Sequence, residues 1–265
     1  MRKDYVRAES VLPEPEFVAG MWDEVWAKPG ASSSSGAALQ RTEEYRFVRE
    51  HVLATASRPL DILDCGCGTG GWTLMLREEG HRAVGIDIAS GVVSRLRAVH
   101  GETFRLSDFR KTGLPGESFD MVLNWGGLEH FEEGPSEGIR EAWRLLRPGG
   151  ALVASTPFHN LRLFALDAWK GDAGGPGYPL SDFHFYQYRF TRAELESLFR
   201  AGGFEEVKSR AFNGAQGVSR AFDHELAGLS RWFPTRARAL AISVAGRLLR
   251  PWLGHMVICV GRKRR

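Results

Sequence analysis

A chain of 265 residues, 43% hydrophobic and 25% charged, is long enough to bury one sizeable core with a smaller appendage. Its 35 basic and 32 acidic side chains leave a net charge of +3, too small to argue for a nucleic-acid partner, although positive charge collects late, from Arg231 to Arg250 and in the tail from Arg262 to Arg265. Three cysteines, Cys65, Cys67 and Cys259, give neither a disulfide framework nor the paired spacing of a zinc site, and no other cluster has metal-ligand spacing. The expectation is a cytoplasmic protein without a metal; Met1 to Gly20 lacks the apolar centre of a signal peptide, and no run approaches the roughly 18 apolar residues of a membrane span.

Residues 1–57 read as a helical cap. Phe17, Val18, Met21, Trp22, Val25 and Trp26 recur at helical spacing until the Ser/Gly run from Pro29 to Gly36 breaks the pattern. A second helix is expected from about Ala37 to Ala54, with Arg41, Arg46 and Arg49 off its apolar face. Leu60 to Cys65 then reads as a buried strand that Asp64 closes, and Gly66, Gly68, Gly70 and Gly71 make a tight turn into a helix from Trp72 to Glu79, capped by Gly80. Such a turn lets a ligand sit against a helix N-terminus. Gly66, Gly68 and Gly71 also satisfy the dinucleotide fingerprint G-x-G-x-x-G, so the ligand is open here; a carboxylate at Asp64 favours one that carries positive charge over a pyrophosphate.

The chain goes on in alternating strands and helices. Ala83 to Ile86 is a short strand ending at Asp87, a position from which a carboxylate can accept both ribose hydroxyls, and Ser90 is placed to cap the next helix. Phe104 to Leu106 makes a third strand before Ser107, Asp108 and Phe109, and the turn Leu114 to Ser118 feeds a fourth that runs to Asn124. Pro135 starts a helix with Ile139, Ala142, Trp143, Leu145 and Leu146 on its buried face, and Arg147-Pro148-Gly149-Gly150 turns into a fifth strand, Ala151 to Ser155. The Gly- and aromatic-rich residues 157–190 read as a lid over the C-terminal sheet edge, where substrates bind in such folds. Thr191 to Glu194 is a capping box for a helix closed by Gly202-Gly203, Phe204 to Lys208 is a sixth strand, and His255 to Val260 a seventh, after a helical insert over residues 211–254. The insert carries a basic amphipathic helix near Arg236–Arg250. It reads as a helix packed on the domain, as a lid over an apolar substrate, or as a peripheral membrane contact.

The string Asp64-Cys65-Gly66-Cys67-Gly68-Thr69-Gly70, the segment Leu114-Pro115-Gly116-Glu117-Ser118-Phe119-Asp120, the turn Leu128-Glu129-His130-Phe131 and the phrase Leu146 to Val153 together resemble the class I S-adenosylmethionine-dependent methyltransferases, in particular the small-molecule group that includes ubiquinone-biosynthesis O-methyltransferases. The resemblance covers about Leu60 to Phe204 plus the final strand. It implies an α/β fold: a doubly wound, Rossmann-like sheet of seven strands, the last antiparallel between the fifth and sixth, with helices on both faces. It implies S-adenosylmethionine as cofactor, held by Asp64, Gly66, Cys67, Gly68, Gly70, Asp87, Ile88, Asp108, Phe109 and Asn124, with Asp87 on the ribose and Asp108 on the adenine amino group.

In that family the prelude folds over the cofactor, which makes Arg46 either a partner for the methionine carboxylate or part of a solvated helix face. His130 is the candidate general base for an acceptor hydroxyl; it can equally be a structural histidine that binds backbone. No N-P-P-Y or D-P-P-Y follows the fourth strand, so the expected acceptor is a small or lipid-linked molecule. A nicotinamide-dependent oxidoreductase and a degenerate binding module remain as rival readings of the same glycine loop.

Overall fold

The computed structural model describes residues 1–7, 13–28, 36–170, 183–221 and 235–265. The apolar runs flanked by glycines form parallel strands because the helices between them cover both faces, leaving only the turns wet. In chain order the glycine-loop strand β2 (Asp61–Cys65) follows β1 (Arg2–Arg7), α1 (Glu14–Ala27), α2 (Gly36–Leu39) and α3 (Glu43–His51). Then come α4 (Gly71–Glu78), β3 (Arg82–Asp87), α5 (Ser90–His100), β4 (Phe104–Leu106), β5 (Phe119–Trp125), α6 (Ser136–Leu145) and β6 (Leu146–Pro157). The last third holds α7 (Leu161–Lys170), β7 (Phe183–Arg189), α8 (Arg192–Ala201), β8 (Phe204–Phe212), α9 (Gly214–Ala221), α10 (Thr235–Leu253) and β9 (Met256–Lys263).

Seven strands form one sheet in the order β4-β3-β2-β5-β6-β9-β8. The strands from β4 to β6 are parallel, and β9 runs antiparallel to both β6 and β8 between them, as the sequence predicts. The core lies on both faces: Leu63, Ile86, Val122 and Leu152 pack towards α6 and α8, while Ile62, Met121, Leu123 and Val153 pack towards α3 and α4. The strand order reverses between β2 and β5, so the C-terminal ends of β2, β3 and β5 leave a crevice there.

Four local expectations are corrected. Residues 1–57 are not wholly helical: β1 pairs antiparallel with β7, from Arg2 opposite Arg189 to Arg7 opposite Phe183, a contact that local pattern cannot announce. The helix expected from Ala37 to Ala54 is broken, because the Thr42 Oγ1 accepts the Tyr45 amide at 3.1 Å and starts α3 afresh. Ser90 does not cap α5; its hydroxyl donates to Asp23, whose carboxylate takes the Gly91 amide at 2.8 Å from a different helix. The long loop expected over residues 157–190 holds α7 and β7 instead; the glycines from Gly171 to Gly177 lie outside the described residues, as do Pro29 to Ser35 and Arg231. The capping box at Thr191 and Glu194 forms with both of its reciprocal bonds. Among the described residues, no helix is long and apolar enough to cross a membrane.

Candidate active site

The glycine loop is built by its backbone. The Gly66 and Cys67 amides both donate to the Ile86 carbonyl, at 2.8 and 3.0 Å, which ties the end of β2 to the end of β3. Gly70, at φ +79°, caps α4 in a left-handed conformation, and a Cβ there would fall 2.7 Å from Phe104. Cys67 is a buried packing residue: its side chain fills the space that a Cβ on Gly85 would need, and burial holds its thiol well above the usual range.

A cavity opens beside this loop, lined by Gly66, Asp87, Ile88, Asp108 and Phe109 and by Trp125, Gly126, Gly127 and His130. Asp87 is 6% exposed; its Oδ2 accepts the Gly68 amide at 2.8 Å and its Oδ1 the Ala89 amide at 2.9 Å. Each oxygen keeps a further acceptor site, so the carboxylate can take two donors from a ligand. Burial raises its pKa, while the amides of Ala89, Gly68 and Ile88 work to lower it. Asp108 is fixed by Arg110, whose guanidinium meets both carboxylate oxygens, the closest at 2.7 Å, and whose backbone amide donates to Oδ1 at 2.8 Å. Arg110 in turn lies 3.6 Å over the Phe131 ring.

Asp64 stands off the cavity wall. Its Oδ2 accepts the Thr73 hydroxyl at 2.7 Å, while Oδ1 is buried with no partner among the described residues. Burial pushes this carboxyl up to about 6, against the pull of the Thr73 bond. Asn124 is also set back: its Oδ1 accepts the Gly127 and Leu128 amides at 3.0 and 2.9 Å and shapes the turn that brings Trp125, Gly126 and Gly127 to the wall. Arg46 is exposed, with its Nε on the Thr42 carbonyl, and belongs to a solvated face of α3 away from the cavity.

His130 is 3% exposed, and its Nδ1 lies 2.7 Å from the Tyr186 carbonyl oxygen. A carbonyl only accepts, so Nδ1 carries the proton and the neutral ring keeps Nε2 as its basic nitrogen. Burial lowers the imidazole pKa, and the carbonyls of Tyr186 and Gly126 oppose that shift. Nε2 is 3.9 Å from Oε1 of Glu129, a carboxyl 1% exposed that burial pushes up to about 8 and whose Oε2 has no partner among the described residues. At neutral pH the neighbours are therefore mainly a neutral acid and a neutral imidazole.

The resemblance implies a prelude folded over the cofactor, but the side chains of α1 that line the cavity were not named as site residues from the sequence. Val18, Trp22 and Trp26 close the cavity from above; Trp22 meets His130 edge-on at 5.2 Å and stacks with Trp26 at 5.4 Å. The available signal was two tryptophans one turn apart, a stripe that reads equally well as core. With α1 in this position the cavity is about 50 Å³, whereas small-molecule sites run to about 300 Å³ or more. Val18, Trp22 and Trp26 therefore occupy space beside the loop that a nucleoside ligand would share. Apart from that volume, the donor set fits S-adenosylmethionine: a buried unpartnered Asp64 oxygen for positive charge, an acceptor carboxylate at Asp87, and Gly66, where an added Cβ would meet nothing. Among the described residues no group of three or more His, Cys, Asp or Glu side chains could hold a metal ion.

A family model described as a methyltransferase domain matches residues 38–209. A probable S-adenosylmethionine-dependent methyltransferase of Mycolicibacterium smegmatis is 31% identical over 179 residues, covering 65% of this chain and 65% of the relative. A ubiquinone biosynthesis O-methyltransferase of Ruegeria pomeroyi is 32% identical over 159 residues, covering 58% of this chain and 63% of the relative. The chain thus spans a little under two thirds of the length of these curated relatives. The crystal structure of the [4+2]-cyclase SpnF superposes with a TM-score of 0.59 at 21% identity, over 98% of this chain and 99% of that one, which shows the shared fold. The chain belongs to the class I S-adenosylmethionine-dependent methyltransferase family. These likenesses favour that reading over a nicotinamide oxidoreductase. The fold of the cyclase is a reminder that chemistry is argued from the site.

Proposed function

We propose that the protein transfers the methyl group of S-adenosylmethionine to a hydroxyl of a small or lipid-linked acceptor by in-line displacement. The observation that carries this reading is that Asp87 and His130 line one cavity together with Gly66 of the glycine loop. The O-methyltransferase named among its relatives supports a hydroxyl acceptor.

When bound, S-adenosylmethionine supplies a methyl group already activated on a positively charged sulfur. Asp87 would hold the ribose hydroxyls, Asp108, oriented by Arg110, the adenine amino group, and Ile88 and Phe109 the faces of the ring. Gly66, Gly68 and Gly70 keep the loop low enough for close approach, and Asp64 is the carboxylate suited to the positive end of the ligand. His130, with Nδ1 committed to Tyr186, is left to take the acceptor's proton on Nε2. Trp22 and Trp26 exclude water once α1 closes.

Calorimetric titration with S-adenosylmethionine, S-adenosylhomocysteine and NAD, followed by an acceptor screen for S-adenosylhomocysteine release, tests the proposal. Binding of both adenosyl ligands and not of NAD is the expected result. Binding of NAD alone overturns it, and release only with amine or carbon acceptors moves the chemistry away from oxygen.

A further inference from the structure

The amphipathic helix α10 is mounted the wrong way round for a helix packed on a core. Leu240, Val244, Leu248 and Trp252 recur every fourth residue and so share one face, and their exposures are 66%, 49%, 69% and 54%. The opposite side is set by glycines: a Cβ on Gly246 would strike the Ala215 backbone, and one on Gly214 would strike the Gly246 carbonyl, so α9 and α10 meet backbone to backbone. That close approach fixes the rotation of α10 and keeps its apolar stripe outward.

The neighbouring helix α7, which packs against α10, adds Leu161, Phe164 and Trp169 at 56%, 58% and 82% exposure. Most of the large exposed apolar side chains among the described residues therefore lie on these two helices. The rest, Met1, Val99, Leu106 and Trp143, are scattered over four other segments.

Charge decides what covers this face. The sequence of α10 contains four arginines and no acid, and Arg247 is exposed next to Leu248. Arg162 is exposed beside Leu161 on α7, whose one acid, Asp167, is bound to Arg2 and His159. Between α3 and α10 runs a groove of about 350 Å³ into which Arg41, Arg46 and Arg247 face; of its two acids, Glu43 pairs with Arg250 at 3.0 Å and Glu44 is shifted towards its neutral form by burial. A second copy of the chain docked about a twofold axis would set arginines against arginines. A planar surface that offers apolar chains beneath a layer of negative charge matches both properties at once.

We propose that α7 and α10 form a docking face for an anionic lipid surface, on which α10 lies flat with Leu240, Val244, Leu248 and Trp252 immersed. Two tryptophans, Trp169 and Trp252, suit the boundary between apolar chains and headgroups. None of the face's named side chains lines the cavity of Asp87 and His130, and the proposal does not rest on the methyl-transfer reading. A membrane-docked enzyme would, however, meet a lipid-linked acceptor without extracting it into water.

The test is co-sedimentation of the full chain with vesicles of phosphatidylcholine alone and of an equimolar mixture with phosphatidylglycerol, at low and high salt. Expected is binding to the anionic vesicles that weakens with salt. It should fall by about tenfold or more in Arg247→Glu and in the pair Leu248→Gln with Trp252→Gln. S-adenosylhomocysteine binding by each variant in the absence of vesicles confirms an intact fold and reads the proposed cofactor site separately. No binding to anionic vesicles, equal binding by the folded variants, or a dimer in sedimentation equilibrium that these substitutions dissociate would each overturn the proposal.

Discussion

The indole of Trp26 lies directly on Gly68: a Cβ added to the glycine would fall 2.7 Å from the Cζ2 atom of the ring. The glycine, at φ +50°, is left-handed as well as crowded, so any side chain there meets strain and a clash together. Gly68→Val should therefore reduce S-adenosylhomocysteine affinity by more than a hundredfold, about 3 kcal/mol, measured by calorimetry. Unchanged affinity would remove the glycine loop from the site.

Because α1 narrows the cavity, ligand binding should move Trp22 and Trp26. Intrinsic tryptophan fluorescence should change on adding S-adenosylhomocysteine, and the change should shrink in Trp22→Phe and again with Trp26→Phe. Asp23 fastens α1 to the start of α5 through the Gly91 amide at 2.8 Å, so Asp23→Ala should accelerate ligand association in stopped flow. A rate equal to wild type would show that α1 does not gate the cavity.

Asp87 combines two backbone amide bonds with a place on the cavity wall. Its replacement by Ala removes charge-assisted acceptors for the ligand and should weaken binding by about 1 to 3 kcal/mol, roughly tenfold to a hundredfold. The same titrations read it.

As the proposed base His130 would work only when neutral, and burial lowers its pKa from the ordinary value near 6.5. The sign follows: activity on a hydroxyl acceptor should be flat at neutral pH and fall about tenfold per pH unit only below the lowered pKa. His130→Gln should cut kcat by about a hundredfold to ten-thousandfold while leaving the dissociation constant for S-adenosylhomocysteine within a small factor. A proportional loss of cofactor affinity would make the histidine structural.

Glu129 is held neutral, its carboxyl pushed up to about 8 from the 4.5 of an unfolded chain. Between those values the folded state binds more protons than the unfolded one, so its contribution to stability is full below 4.5 and is lost as pH rises through 8. Asp64 works in the same direction to about 6. Glu129→Gln removes the titration; its melting temperature relative to wild type should rise between pH 5 and pH 8, with a free-energy difference of about 1 to 4 kcal/mol. A constant difference across that range would place the carboxyl in water.

Much of the sheet was legible in the sequence because its signals are local. A strand followed by crowded glycines, a carboxylate at the end of the next strand and a proline-glycine turn each follow from backbone geometry within a few residues. Gly70, Gly80, Asp87 and the Thr191 capping box accordingly stand where local chemistry puts them. The helix break at Thr42 was hidden because a threonine cap inside an apolar pattern competes with continuation, and only packing settles which wins.

What the sequence by itself determined is the order of strands and helices and the carboxylates and glycines at their ends, since these depend on short-range sterics and periodicity. The tertiary structure alone decided three things. Tryptophans more than forty residues upstream of the glycine loop close over it. Glu129 and His130 become neutral because burial, which no local pattern fixes, withdraws water from both. The apolar stripe of α10 faces outward because glycines on α9 and α10 claim its other side. Each depends on how separate elements pack against one another, which short-range sterics and periodicity do not fix.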